Sequence, residues 1–176
     1  WDNNSLDEET SPLNATTYYS ASKLAFKGLA EIIAKDIALV WARIFFPYGP
    51  DEDESKLISY IYREISESRL PEIQTPDRAV DMIHVDDVAK AFEKLAASDA
   101  TGTVNVSSGQ AWLPHQITLE FAGLLEKKAL HPLIESELKQ AKVSSTLQGN
   151  NQRLMNVWTA PPPRSLPDGL KTYLEK

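Results

Sequence analysis

The feature that most constrains the fold is an apolar run at residues 37–46, Ile-Ala-Leu-Val-Trp-Ala-Arg-Ile-Phe-Phe. Its β-forming residues and nearly continuous apolar character are typical of a strand covered on both faces, as in a parallel sheet. Residues 47–50, Pro-Tyr-Gly-Pro, are turn-forming, so we expect the strand to end there. The run therefore predicts a buried strand.

Helical and strand-like patterns alternate along the rest of the chain. Apolar residues at helical spacing predict a helix over residues 18–35, capped by Thr16 or Thr17. Asp86 and Asp87 are expected to cap a later helix rather than to bind a metal, because no other acid or histidine lies at ligand spacing nearby. The other expected elements are helices at residues 55–68, 86–97, 115–127 and 166–174, strands at 70–74, 80–85 and 103–106, and a short strand at 130–134 followed by a helix to residue 142.

This alternation implies an α/β fold built on a parallel sheet. A length of 176 residues suits one domain. Only about three sheet strands are expected, whereas a free-standing doubly wound domain usually has roughly five or six. The low strand count, with a sequence that opens on Trp1 and an acidic cluster at residues 7–9, predicts that the chain is a piece of something longer.

Composition narrows the classes of partner. The formal charge of −7 and the pI of about 5.0 argue against nucleic acid and against an anionic membrane surface. The apolar stretch at residues 37–42 is too short to span a bilayer. The absence of cysteine excludes disulfides and thiolate catalysis, and it fits a reducing cytoplasm. We therefore expect a cytoplasmic protein that binds a small molecule and no metal.

A tyrosine and a lysine, Tyr19 and Lys23, lie four residues apart at the start of the first predicted helix. Residues at this spacing share one helix face, so both side chains can point into the same pocket. A lysine about 4 Å from the phenol supplies roughly 4 kcal/mol at an effective dielectric of ~20, enough to lower the tyrosine pKa by roughly 3 units. The pair is a minimal device for proton transfer. The spacing alone equally fits an exposed helix start with a solvated lysine.

Four stretches, in order and with normal gaps, carry a resemblance to a known family. Residues 19–23, Tyr-Ser-Ala-Ser-Lys, look like its Tyr-x-x-Ser-Lys helix, and residues 43–50 look like its Arg-x-x-Asn-x-Tyr-Gly-Pro strand end. Residues 81–89 resemble its Asp-Phe-Ile-His-Val-Asp-Asp-Val-Ala run, and residues 104–109 its Asn-x-Gly-Ser-Gly. On these motifs the chain resembles the carboxyl-terminal part of an extended short-chain dehydrogenase/reductase, of the NAD-dependent epimerase/dehydratase family acting on nucleotide sugars.

The resemblance implies a partial Rossmann-like parallel sheet, formed by the last strands of that fold, together with a small α/β substrate-binding subdomain. Residues 11–50 and 80–107 would belong to the Rossmann-like core. Residues 51–79 and 108–176 would form the substrate side. The family often forms dimers through helices that include the Tyr–Lys helix, so a homodimer is a further expectation.

The resemblance also implies roles for individual residues. Tyr19 would exchange a proton with a sugar hydroxyl as general acid or base, and Lys23 would lower its pKa and bind the nicotinamide ribose of NAD or NADP. Phe45, Phe46 and Pro47 would lie near the nicotinamide or the substrate. For these three side chains, aromatic core packing at a strand end is an equally good interpretation.

Two parts of the family pattern are absent, and two positions depart from it. None of the seven glycines forms the dinucleotide-binding loop, which should precede residue 1 together with the catalytic Ser or Thr. Phe46 and Val80 stand where the family often has an Asn and an Arg that hold the substrate diphosphate. Arg78 is the nearest arginine, and we hypothesise that it substitutes as a substrate-binding residue.

Three functions remain open at this point. The chain is the substrate-side half of an NAD(P)-dependent epimerase, dehydratase or reductase; or a non-catalytic dinucleotide or metabolite sensor on the same fold; or a fragment that is inactive on its own. The sequence does not distinguish among sugars, among reactions of the family, or between NAD and NADP.

Overall fold

The computed structural model describes residues 6–159 and 161–175. The helices are α1 (Tyr18–Ile33), α2 (Leu57–Ser66), α3 (Val85–Ala96), α4 (Pro114–Leu124), α5 (His131–Gln140), α6 (Gln152–Val157) and α7 (Leu166–Leu170), with a 3-10 helix at Lys171–Leu174. The strands are β1 (Val40–Ile44), β2 (Phe46–Tyr48), β3 (Arg78–His84), β4 (Gly102–Val106), β5 (Ala111–Trp112) and β6 (Ser145–Leu147).

Helix α1 begins at the predicted place. Thr17 is its cap: the Thr17 hydroxyl accepts a hydrogen bond from the Ser20 N–H at 3.1 Å, and the Ser20 hydroxyl accepts one from the Thr17 N–H at 3.0 Å. This reciprocal pair is a capping box. None of the 16 residues of α1 is buried. Its contact with β1 is made by the rings of Phe26 and Trp41, whose centroids lie 6.1 Å apart.

Two parallel strand pairs form the centre of the fold. β1 pairs with β4 from Val40 opposite Gly102 to Ile44 opposite Val106. Within the described residues no strand pairs with the other edge of β1. The prediction of one strand over residues 37–46, covered on both faces, is therefore wrong: β1 is shorter, and none of its five residues is buried. In the part of the chain that the structure describes, the apolar run thus belongs to a strand that is paired along one edge.

The second pair joins β2 and β3, with Phe46 opposite Met82 and Tyr48 opposite His84. The predicted turn at residues 47–50 starts later than expected, because Pro47 and Tyr48 still belong to β2. An edge strand tolerates proline, which has no N–H to donate. β3 also pairs with β5 in antiparallel fashion and with β6 in parallel. The predicted α/β class with parallel pairing is confirmed.

Two hydrophobic clusters hold these elements together. One lies beside β1, β4, α3 and α6 and contains Ile83, Ala91, Leu95, Val104, Val106 and Leu154. The larger one lies among α2, α4, α5, α7 and β3, and its members include Ile58, Ile61, Ile65, Ile117, Phe121, Ile134 and Leu170. The candidate site residues of α1 belong to neither cluster.

Three local predictions fail for identifiable reasons. Residues 70–74 form no strand, and Pro71 within them cannot donate to a sheet. Residues 130–134 are helical from His131, because Pro132 sits in the first turn, where its missing N–H costs nothing. The cap of α3 is His84 rather than Asp86 or Asp87, which lie in the first turn of the helix. There their negative charges still favour the helix amino terminus.

Candidate functional site

The structure brings Tyr19 and Lys23 into contact on the surface of α1. The Lys23 Nζ lies 5.4 Å from the centroid of the Tyr19 ring, within cation–π range. Tyr19 is 73% exposed, and its hydroxyl makes no hydrogen bond to the described residues. Both groups are thus open to a ligand approaching α1. The capping box at Thr17 fixes the start of the helix two residues before the tyrosine.

Phe45, Phe46 and Pro47 lie where the chain passes from β1 to β2. Phe45 is 9% exposed, and its N–H extends the parallel ladder by donating to the Val106 carbonyl at 3.0 Å. Phe46 is 40% exposed and Pro47 is exposed. The carboxyl ends of parallel strands are where ligands bind in open α/β sheets. Because Phe45 is buried, core packing accounts for its side chain. Phe46 and Pro47 are exposed at this edge and offer an accessible apolar surface.

A polar network secures the segment that leads to α1. The Arg43 guanidinium donates to the carbonyls of Asp7 and Glu8 and to the Asn105 side chain, each at 3.4 Å. The buried Glu8 carboxylate accepts the Asn105 N–H at 3.0 Å. The Asn105 amide donates to the Leu6 carbonyl at 2.8 Å. Arg43 is therefore structural, and this network covers the edge of β4.

Asp81 organises the loops beside β3. Its buried carboxylate accepts hydrogen bonds from the Ser108 N–H at 2.9 Å, the Ser108 hydroxyl at 2.7 Å, the Gly109 N–H at 3.0 Å and the Gly149 N–H at 3.1 Å. Burial raises the pKa of Asp81, and the four hydrogen bonds oppose that effect. One side chain thus ties two loops, far apart in sequence, to the middle of one strand.

His84 and Arg164 form a second polar cluster at the end of β3. An Arg164 Nη donates to the His84 Nδ1 at 2.6 Å and to the Asp86 carboxylate at 2.8 Å. The Arg164 N–H donates to the Asp87 carboxylate at 2.8 Å. His84 is a buried, hydrogen-bonded histidine at the end of an apolar strand. Beside it lies a cleft of about 570 Å³ lined by residues 47–52, 84–86, 172 and 175.

Arg78 does not lie beside Phe46. It is exposed at the first position of β3, where it pairs with Ser145, whereas Phe46 pairs with Met82. Four residues of strand separate the two positions, about 13 Å at ~3.3 Å per residue. A cleft of about 1040 Å³ lies between α2 and residues 72–75, three residues before Arg78. The Arg63 guanidinium stacks over the Tyr60 ring on its wall, 5.3 Å from the centroid.

The Asp81 and Arg164 contacts were missed from the sequence. A carboxylate between Val80 and Met82, in an otherwise apolar strand, is a signal of a buried hydrogen-bonded group. Arg164 has no comparable signal, since it lies 80 residues from its histidine partner in a proline-rich stretch.

The donor set can be compared with what a dinucleotide requires. A phenol and an ammonium exposed together suit the hydroxyls of a ribose, so the residues fit the nicotinamide end. The glycines present form no Gly-x-x-Gly-x-x-Gly loop for the phosphates.

Among residues 6–159 and 161–175, no group of three or more His, Asp or Glu side chains is placed to hold a metal ion. No helix in that part of the chain is long and apolar enough to cross a membrane.

More than half of the chain is similar to a known protein family. The model of the NAD dependent epimerase/dehydratase family matches residues 2–107. None of the curated proteins compared with the chain matches it.

Solved structures of similar fold cover nearly the whole chain. They include a dTDP-glucose 4,6-dehydratase from Bacillus anthracis in complex with NAD (20% identity, TM-score 0.78, 99% of this chain and 56% of that one). A second is MoeE5 in complex with UDP-glucose and NAD (20% identity, TM-score 0.72, 99% of this chain and 59% of that one). A third is RMD from Pseudomonas aeruginosa complexed with NADPH (24% identity, TM-score 0.74, 97% of this chain and 59% of that one). These likenesses show a Rossmann-like fold, and the chain spans little more than half the length of each structure.

Proposed function

Since the chain belongs to the NAD-dependent epimerase/dehydratase family, we propose that it is the substrate-side half of an NAD(P)-dependent sugar-modifying oxidoreductase, epimerase or dehydratase. The observation that carries the proposal is the contact between Tyr19 and Lys23 on the exposed face of α1. A non-catalytic sensor on the same fold has no need of a proton-transfer pair. The retention of both residues therefore favours an enzyme.

Tyr19 exchanges a proton with a hydroxyl of the sugar through its phenolic oxygen. Lys23 presents its ammonium to the same surface, where it would favour the ionised phenol electrostatically and would donate hydrogen bonds to the nicotinamide ribose of a bound cofactor. The bound nicotinamide supplies hydride transfer. The exposed ring of Phe46 and the neighbouring Pro47 form an apolar wall that orients the reacting groups and excludes water, while Phe45 anchors that wall in the core.

The substrate class is a nucleotide sugar. Structures of the same fold bind UDP-glucose, and one is described in complex with UDP-N-acetylmuramic acid. In this chain the cleft beside α2 has a volume suited to a ligand of that size. Arg78 is exposed, and no ion pair occupies its guanidinium among the described residues, so it is available to a diphosphate.

Several related expectations accompany the proposal. The division of the chain into two parts stays a prediction: a Rossmann-like core of residues 11–50 and 80–107, and a substrate side of residues 51–79 and 108–176. The cytoplasmic location and the inactivity of the 176 residues alone also stay predictions. The homodimer also stays a prediction. The exposed Leu29, Ile32 and Ile33 on α1 are compatible with it.

The proposal is tested by replacing Lys23 with Met in the full-length protein. We expect a loss of turnover of about 10²-fold or more, because the change removes the cation that stabilises the phenolate. Turnover is followed with NAD(H) or NADP(H) and a panel of UDP- and dTDP-sugars. Lys27→Met is the matched control, since Lys27 lies one turn further along α1 and pairs with Glu31. Equal activity of both variants, or no turnover by the unmodified protein on the whole panel, would contradict the proposal.

The assignment of Arg78 to the substrate is tested separately with Arg78→Ala. Loss of a charge-assisted hydrogen bond of about 1.5–3 kcal/mol predicts a KM for the nucleotide sugar raised roughly ten- to hundredfold with kcat nearly unchanged. Lys139→Ala serves as control, because Lys139 is also an exposed cation. An unchanged KM would remove Arg78 from the substrate site and leave the roles of Tyr19 and Lys23 intact.

A further inference from the structure

The end of the described chain is fastened to the ends of β2 and β3 by a small set of polar contacts. The Tyr173 hydroxyl donates to the Gly49 carbonyl at 2.8 Å and lies 3.0 Å from the Glu52 carboxylate. Arg164 binds His84, Asp86 and Asp87 as described above. We call residues 164–174 the C-terminal segment. Its Leu166, Leu170 and Tyr173 side chains are buried in the larger cluster, so the segment closes part of the core.

The contacts of His84 define its protonation state. Its Nδ1 faces two donors, the Arg164 guanidinium at 2.6 Å and the Asp86 N–H at 3.2 Å. A nitrogen that accepts from both carries no proton. The proton therefore resides on Nε2, which lies 3.2 Å from the Thr172 hydroxyl, and that hydroxyl donates in turn to the Gly169 carbonyl at 2.7 Å. We call this arrangement, in which both ring nitrogens of His84 are bound to the C-terminal segment, the closed state. The closed state requires a neutral His84.

The charges around the ring are mixed. Arg164 from the C-terminal segment and Lys90 from α3 oppose a positive ring, whereas Asp86 and Asp87 at the start of α3 favour one. The Tyr48 ring from β2 meets the imidazole edge-on at 5.3 Å. The carboxylates that line the adjoining cleft are Asp51, Glu52, Asp86 and Glu175. Burial of the ring, followed by the Arg164 guanidinium, lowers the pKa of His84 below its ordinary value, while Asp86 and Asp87 oppose that shift.

We propose that His84 is a pH-sensitive latch, whose protonation displaces the Arg164 guanidinium from Nδ1 and so loosens the C-terminal segment. A proton on Nδ1 places two like charges at hydrogen-bond distance and removes the acceptor that caps α3. Loosening the segment withdraws Thr172 from the cleft beside Tyr48 and enlarges its opening. This device concerns regulation of the fold and is independent of the proposed chemistry at Tyr19.

The direction of the effect follows from linkage. The pKa of His84 is lowered in the closed state, so the latch contributes its full stabilisation above the ordinary histidine pKa of about 6.5 and loses it as pH falls through that value. If the closed state excludes the proton, the open population relative to the closed one rises by about tenfold between pH 7.5 and pH 5.5. Carboxylates with ordinary pKa values near 4 remain ionised over this range.

Hydrogen exchange of the intact protein, read by mass spectrometry, tests the latch. Protection factors, corrected for the intrinsic pH dependence of exchange, are expected to fall by up to about tenfold in peptides covering residues 164–174 between pH 7.5 and pH 5.5, while peptides of β4 change little. In His84→Asn the amide oxygen still accepts from Arg164 and still caps α3 but does not titrate, so the pH response should vanish. The control variant His131→Asn, which replaces a histidine outside the latch, should keep the pH response of the unmodified protein.

A second variant guards against a folding defect in the first. In Arg164→Gln the neutral amide can donate to an unprotonated Nδ1 or accept from a protonated one. Burial of the His84 ring still disfavours its protonation, so the pH response of the segment should be reduced rather than abolished. The proposal is overturned if protection of residues 164–174 is the same at both pH values in the unmodified protein. It is equally overturned if Arg164→Gln, or a folded His84→Asn, retains the full response.

Discussion

Replacing Tyr19 with Phe is expected to lower kcat of the full-length protein by about 10²–10⁴-fold, the usual contribution of a general acid or base. Cofactor affinity should change little, because the ring remains beside Lys23 and only one oxygen is lost. The free energy of unfolding should stay within about 0.5 kcal/mol, because the side chain is 73% exposed and its hydroxyl has no hydrogen-bond partner among the described residues. Steady-state kinetics with the cofactor, its binding isotherm and a urea titration measure the three quantities.

The adjacent tyrosine provides a matched control for this experiment. Tyr18 is 97% exposed on the same turn, and Tyr18→Phe removes the same atom from a side chain that does not contact Lys23. It should retain full turnover. A Tyr19→Phe enzyme that keeps its kcat would show that the contact with Lys23 is only a feature of a solvated helix start. A sensor would have no turnover for either change to affect.

Removing the carboxylate of Asp81 is expected to destabilise the fold by about 3–5 kcal/mol, one of the largest effects available to a single substitution here. Asp81→Ala leaves four donors, three of them backbone N–H groups of residues 108, 109 and 149, without their acceptor. Each unsatisfied buried donor costs about 1–3 kcal/mol before the loops relax or water enters. Urea unfolding followed by circular dichroism measures the shift.

Two further substitutions make this result specific. Asp81→Asn keeps the shape but offers one acceptor oxygen and turns an NH₂ group toward donors, so its cost should be smaller than that of Asp81→Ala and still exceed about 1 kcal/mol. Asp99→Ala, at an exposed position, should stay within about 0.5 kcal/mol. If Asp81→Ala unfolds at the same urea concentration as Asp99→Ala, the loops do not depend on the carboxylate.

Local signals predicted the elements whose causes are local. The helix at α1, its Thr17 cap and the shared face of Tyr19 and Lys23 follow from spacing over a few residues. The buried strand β3 follows from an apolar run that is indeed buried at six of its seven positions. The same logic failed for β1, because an apolar run does not say which of its edges and faces are covered.

The unpredicted parts depend on contacts between distant residues. β6 is three residues long and gains its identity by pairing with Arg78–Val80, 67 positions earlier in the chain. Arg164 reaches His84 across 80 residues, and Asp81 reaches Gly149 across 68. Single-sequence periodicity carries no information at such separations, so the latch and the loop anchor emerge only once the strands are assembled.

The absence of any buried residue on α1 has a consequence for the chemistry. A helix of 16 residues that buries none of its side chains completely gains little from tertiary packing, which supplies most helical stability in proteins. The pair of Tyr19 and Lys23 therefore lies on an element with little local resistance to fraying. Any contact that orders α1 therefore also fixes the spacing between the Tyr19 phenol and the Lys23 ammonium.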